Sequence, residues 1–224
     1  MRKYMSQDEP LSKRDWFIPA GLLVLSFIPI VAGTFRVVQL GAGAVISPDN
    51  ARFVAAPLPV VMHILGSAIF CVLGAFQFLP SFRRRKPNWH RISGRIVVPC
   101  GLVAALSALW MTQFYPTGID PPASFDGPFL YAIRLLAGST MALFLCLGVA
   151  AILRRDIPRH QAWIMRSYAL GLGAGTQVFT HLPWFLFPSI QGELARTMSM
   201  GAGWAINLAV AEWLISREPS KEVA

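Results

Sequence analysis

The chain has 224 residues, 54% of them hydrophobic and only 14% charged, with a formal net charge of +9 and a mean hydropathy of +0.51. That composition excludes an ordinary soluble domain. The positive balance by itself would admit nucleic acid, but its distribution between apolar runs argues for a topology signal instead.

Apolar runs of about 20 residues recur along the chain, each near the length that crosses roughly 30 Å of hydrocarbon. Six are read, over 16–38, 58–79, 96–114, 129–153, 162–187 and 198–215. Their connections are short, so the expected fold is all-α: one polytopic transmembrane helical bundle over 16–217, with polar tails at 1–15 and 218–224. If the N-terminus is cytoplasmic, sixteen of the 20 Lys and Arg residues fall on the inner side. The exceptions are Arg36, Arg52, Arg134 and Arg196. This bias predicts an N-in/C-in protein of the inner (plasma) membrane. The lipid bilayer is its expected partner, with anionic headgroups at the cytoplasmic face and no nucleic acid. The first run is too long for a cleaved leader and reads as a signal anchor.

In chain order, the first helix carries Pro29, which bends it, and Arg36 near the outer interface. The outer segment 41–57 is too polar to face lipid and is expected to lie over the outer mouth of the bundle. In the second helix His63, Ser67, Phe70, Gly74 and Gln77 recur every three or four residues, a stripe facing other helices. The inner loop 80–94 is the most basic stretch, and His90 and Arg91 open the third helix. That helix continues through Gly101 and Ala105, small residues that permit close approach. The outer loop 115–128 shows no phosphate-loop or metal pattern. Arg134 of the fourth helix, about two turns below the outer surface, is expected to snorkel outward or to meet a carbonyl or anion of the neighbouring bundle face.

The fifth helix is expected to run unbroken over 162–187. Its face Arg159, Trp163, Arg166, Leu170, Gly173, Gln177, His181 repeats every three or four residues, and Gly171 with Gly175 forms a GxxxG. His160 and His181 would lie about 31 Å apart along such a helix, on opposite surfaces. In the sixth helix the small residues Gly201, Ala205 and Ala209 lead to Glu212, expected to face Arg95 or Arg166. Cys71, Cys100 and Cys146 fall within spans and read as buried apolar cysteines rather than a disulfide or metal site.

The strings MHILGSAIFCVLGAFQF, HRISGRIVV, RHQAWIMRSYAL and WAINLAVAEWLI resemble the signature segments of an uncharacterised bacterial predicted-membrane-protein family, domain of unknown function 2306. The resemblance implies a multi-pass inner-membrane protein without a settled activity. It points to His63, Gly66, Gln77, His90, Arg91, Gly94, Arg95, His160, Trp163, Arg166, Ser167, Tyr168, Asn207 and Glu212 as signature positions. One departure stands out: relatives carry an arginine soon after the threonine of the fifth helix, where this chain has Gln177 and, further on, His181.

Two polar groupings emerge. The inner one comprises His90, Arg91, Arg95, His160, Arg166, Tyr168 and Glu212. The outer one is His63 and His181 with Arg134 and Gln177. Three readings compete. In the first, the inner groups hold helix ends together in a non-catalytic scaffold, assembly or lipid-associated protein. In the second, His63 with His181 and His90 with His160 are axial pairs for b-type haem. In the third, Glu212 and its basic neighbours form a proton-coupled transport site. Hydrolytic metal and nucleotide-binding motifs are absent from the sequence.

Overall fold

The computed structural model describes residues 16–43, 45–47, 50–115 and 125–217, with the backbone alone at 80–82. The polar tails 1–15 and 218–224, and most of the outer loop, lie outside the described residues. Those described are helical, without strands: α1 (Phe17–Gly41), α2 (Ala51–Ala55), α3 (Pro57–Gln77), α4 (Pro80–Arg85), α5 (Pro87–Phe114), α6 (Pro128–Leu153), α7 (Ile157–Gly171), α8 (Gly173–Thr180), α9 (Leu182–Leu186) and α10 (Glu193–Arg217).

Proline decides where several of these begin. It sits in the first turn of α3, α5, α6 and α7, where its fixed φ suits a helix and its missing N–H costs nothing. Pro87 therefore starts α5 well before the apolar run, and with α4 it turns most of the expected basic loop 80–94 into helix. Asp156 caps α7 by accepting a hydrogen bond from the Arg159 backbone N–H at 3.1 Å.

Four helices, α1, α3, α5 and α6, are long and apolar enough to cross a membrane. The remaining two expected spans are laid out differently. α10 has the length, at 25 residues. The expected unbroken helix over 162–187 is instead three pieces, interrupted at Leu172 and His181. The glycines of GLGAG explain the first break: each lowers the cost of leaving α geometry. There the Gly175 N–H reaches back three residues, to the Leu172 carbonyl at 2.9 Å, a tightened turn.

The helices form a ring in which α1 packs on α3, α3 on α5, α5 on α6, α6 on α7, and α7 with α8 on α10. Contact between α8 and α1 closes it. The core lies inside, around Phe70, Leu145, Met141, Leu170 and Tyr168. Gly74 admits the Tyr168 ring so closely that a Cβ there would sit 2.3 Å from it, and a Cβ at Gly175 would sit as close to the Leu25 carbonyl oxygen of α1. Large apolar side chains such as Phe17, Val24, Phe27 and Leu136 face outward, the arrangement that lipid rather than water favours.

Ala205 and Ala209 are exposed, and α10 packs through Gly203, Asn207 and Ala211, because small residues occur on its lipid side as well. One expectation about burial is corrected. Cys71 is buried as expected, but Cys146 is exposed on the outside of α6, where lipid tolerates a thiol as readily as the core does.

Candidate functional site

A cavity of about 440 Å³ opens between α1, α3, α5, α6, α8 and α10 in the half of the bundle where α3 and α6 begin. It exists because the inward faces carry Ala and Gly where larger residues would fill the space: Ala104, Ala105 and Ala108 from α5, Ala137 and Gly138 from α6, Ala174 from α8. Its walls are mostly apolar. His63, Arg134 and Gln177, three of the four outer residues singled out by sequence, all line it. His181, the fourth, is not among its walls. It donates from Nδ1 to the Gln177 carbonyl of its own turn at 2.8 Å.

The mouth of the cavity is built around one carboxylate. Asp126, just before α6, has a side chain only 2% exposed. Arg134 meets it with Nη1 at 3.2 Å and Nη2 at 3.4 Å, Arg196 of α10 at 3.1 Å and Arg52 of α2 at 3.8 Å. Three guanidinium groups converge on one carboxylate, and Glu193 of α10 brings a second acid beside them, accepting from the Phe129 backbone N–H at 2.8 Å. Arg134 thus meets an anion, the second of its two expected fates. Arg52 also stacks on Phe53, 4.9 Å from the ring centre, and its buried Nε has no hydrogen-bond partner. Tyr115 closes one side, donating its hydroxyl to the Ala56 carbonyl at 2.6 Å. Burial pushes its phenol above the usual value. Arg52 and Phe53, of the polar segment after α1, therefore lie at the mouth.

At the other end, Arg166 and Glu212 pair as a fork, Nε to Oε1 at 2.5 Å and Nη2 to Oε2 at 2.8 Å. Of the two expected partners of Glu212, Arg166 is the one it takes; Arg95 and Arg91 are exposed. Trp163 supports the fork from below, its ring 4.7 Å from the Arg166 guanidinium. His160 donates from Nδ1 to the Gly148 carbonyl of α6 at 2.8 Å. His90 lies within the electrostatic reach of His160, Arg83 and Arg91. Tyr168 is not part of this grouping. It is 3% exposed, packed against Phe70 and Phe78, and donates to the Cys71 carbonyl at 2.7 Å. Its ring is too large and apolar to remain at the rim when a glycine socket is available.

Most of the signature-type side chains do one thing in common: they tie two helices together. His63 donates from Nδ1 to the Ala104 carbonyl, joining α3 to α5 at 2.8 Å. Gln77 donates to Ser93 Oγ at 2.6 Å, joining the same pair lower down. His160 joins α7 to α6, Tyr168 joins α7 to α3, and Arg166 joins α7 to α10. Asn207 donates to the Ala169 carbonyl at 3.0 Å and accepts from the Thr176 hydroxyl at 2.7 Å. It thereby satisfies backbone beside the break at Leu172, a need that lipid cannot meet. In His63, His160 and His181 alike the Nδ1 is committed to a carbonyl, which leaves Nε2 as the nitrogen for any cofactor.

Sequence reasoning missed Asp126, Arg52, Arg196 and Tyr115. A usable signal existed: three of the four outer arginines needed a counter-charge, and Asp126 is one of few acids in reach of the helix ends on that side.

Ring, lipid-facing exterior and cross-helix joints together define a polytopic helical membrane protein. Residues 60–215 match the family described as predicted membrane protein, DUF2306, and the chain belongs to that family. No match was found among curated proteins or among solved structures.

Proposed function

We propose that this chain is a non-catalytic, lipid-associated scaffold of the bacterial plasma membrane, with both termini in the cytoplasm. The observation that carries this reading is the use of its polar side chains: Gln77, His160, Arg166, Tyr168, Asn207 and Glu212 are spent on joints between helices. Glu212, the carboxylate a proton-coupled transporter would need, has both oxygens occupied by Arg166. Around those joints the basic helix ends present Arg84, Arg91, Arg95, Arg154 and Arg155 outward, a surface complementary to anionic headgroups.

The experiment is lipid retention. Protein purified from vesicles of mixed phosphatidylglycerol and phosphatidylethanolamine is expected to keep the anionic lipid in excess. Glutamine at Arg84, Arg91, Arg95 and Arg155 together should remove that excess, and an unchanged ratio would overturn the reading.

A second reading, haem, is favoured by one observation: each Nδ1 bonded to a carbonyl orients its ring as an axial ligand requires. A reduced-minus-oxidised visible spectrum decides. An α-band lost on His160→Ala establishes haem, and a colourless protein removes it.

A further inference from the structure

We propose that the cavity at the Asp126 end is a binding site for a single-chain amphipathic anion, its carboxylate or phosphate head at Arg52 and its apolar chain among the alanines below. This goes beyond the lipid-surface reading, which concerns the opposite end of the bundle and does not depend on it.

Three features carry the inference. First, the volume of about 440 Å³ lies within the range of small-molecule pockets, about 300–1,000 Å³. Its walls are apolar with few polar groups, as such pockets are. Second, the polar groups gather at the mouth. Asp126 shows what these guanidinium groups recognise, a planar oxyanion. Third, Arg52 is the least committed of them. Its contact with Asp126 is the longest, at 3.8 Å, and its Nε is buried without a hydrogen-bond partner. A buried donor left unmade is costly, and an anionic head placed here would satisfy it. The chain beneath the head would run past Met111 and Ala108 toward Met141, a flexible apolar lining suited to an alkyl chain.

The test uses full-length protein in nanodiscs, with binding read by native mass spectrometry. Oleate and lysophosphatidate serve as carboxylate and phosphate probes, oleylamine as the cation of equal chain, and inorganic phosphate as a head without a chain. Saturable one-to-one binding of oleate or lysophosphatidate is expected, and the tighter of the two identifies the head. Arg52→Gln should weaken it by about tenfold or more, the loss of one charge-assisted hydrogen bond. Asp126 keeps Arg134 and Arg196 in that variant, so the mouth should still fold. Ala108→Phe, which fills the chain path, should abolish binding, and Ala137→Leu should weaken it with a smaller perturbation. Binding by neither probe, equal binding of oleylamine, displacement by inorganic phosphate alone, or indifference to both Arg52→Gln and the cavity-filling variants would overturn the proposal. Loss of the basic surface around Arg91 and Arg95 should leave this site unaffected, so the two readings fail separately.

Discussion

The two ends of the bundle each place arginine against a carboxylate, and they do so in opposite ways. At the Arg166–Glu212 end one acid meets one base in a complete fork, and the Glu212 side chain is 52% exposed. At the Asp126 end one acid, 2% exposed, is shared by three arginines, and the buried Arg52 Nε has no hydrogen-bond partner. A matched pair in a wet place contributes little, and an unmatched cluster in a dry place is strained by any loss. The first is therefore a fastening and the second a poised charge. Burial and stoichiometry, rather than the presence of an ion pair, separate them.

Asp126→Asn should have the largest effect. It leaves three part-buried guanidinium groups facing one another, and a loss of about 3 kcal/mol or more is expected, the cost of removing one member of a buried charge set. Thermal unfolding in detergent would read it, and a neutral result would erase the contrast between the ends. Next comes the joint between Gly74 and Tyr168, on α7 two residues beyond Arg166. Gly74→Ala pushes a methyl into the Tyr168 ring and should cost about 1–3 kcal/mol by overpacking. Tyr168→Phe keeps the ring and removes only the bond to the Cys71 carbonyl, so about 1 kcal/mol is expected, as for other hydrogen bonds within membranes. Denaturant titration of both variants separates packing from hydrogen bonding. The smallest effect belongs to Glu212→Gln, below about 1 kcal/mol because solvent screens the exposed pair. Double-mutant cycles on Asp126 with Arg134 and on Glu212 with Arg166 would sharpen the comparison directly, with the larger coupling expected at the buried end.

Much of this was legible in the sequence because lipid imposes a simple grammar. Apolar run length gave α1, α3, α5 and α6, and helical periodicity put His63, Phe70, Gly74 and Gln77 on the inward side of α3, where His63 and Gln77 meet α5 and Gly74 meets α7. The need to neutralise an acid narrowed the partner of Glu212 to Arg95 or Arg166, and it takes Arg166. What escaped has physical reasons. The break at Leu172 is invisible to hydropathy, since glycine and leucine read as apolar whether or not the helix continues. The packing face of α10 could not be read from its small residues, because Ala205 and Ala209 are as compatible with lipid as with a neighbour. Tyr168 was grouped with the charged rim because position along a helix does not reveal a socket such as Gly74 on another. Asp126 sits in an aperiodic loop, where spacing carries no message and only charge balance could have singled it out.

One consequence follows from where α1 lies. The family match begins at residue 60, so α1 and α2 stand apart from it, yet Ser26, Pro29 and Ile30 form a wall of the chamber and Arg52 its entrance. α1 closes the ring as the last stave closes a cask, along the seam between Leu25 and Gly175. Changes confined to that stave would retune what enters, or open a sideways slot toward the acyl chains, while every fastening among the remaining helices stayed as it is.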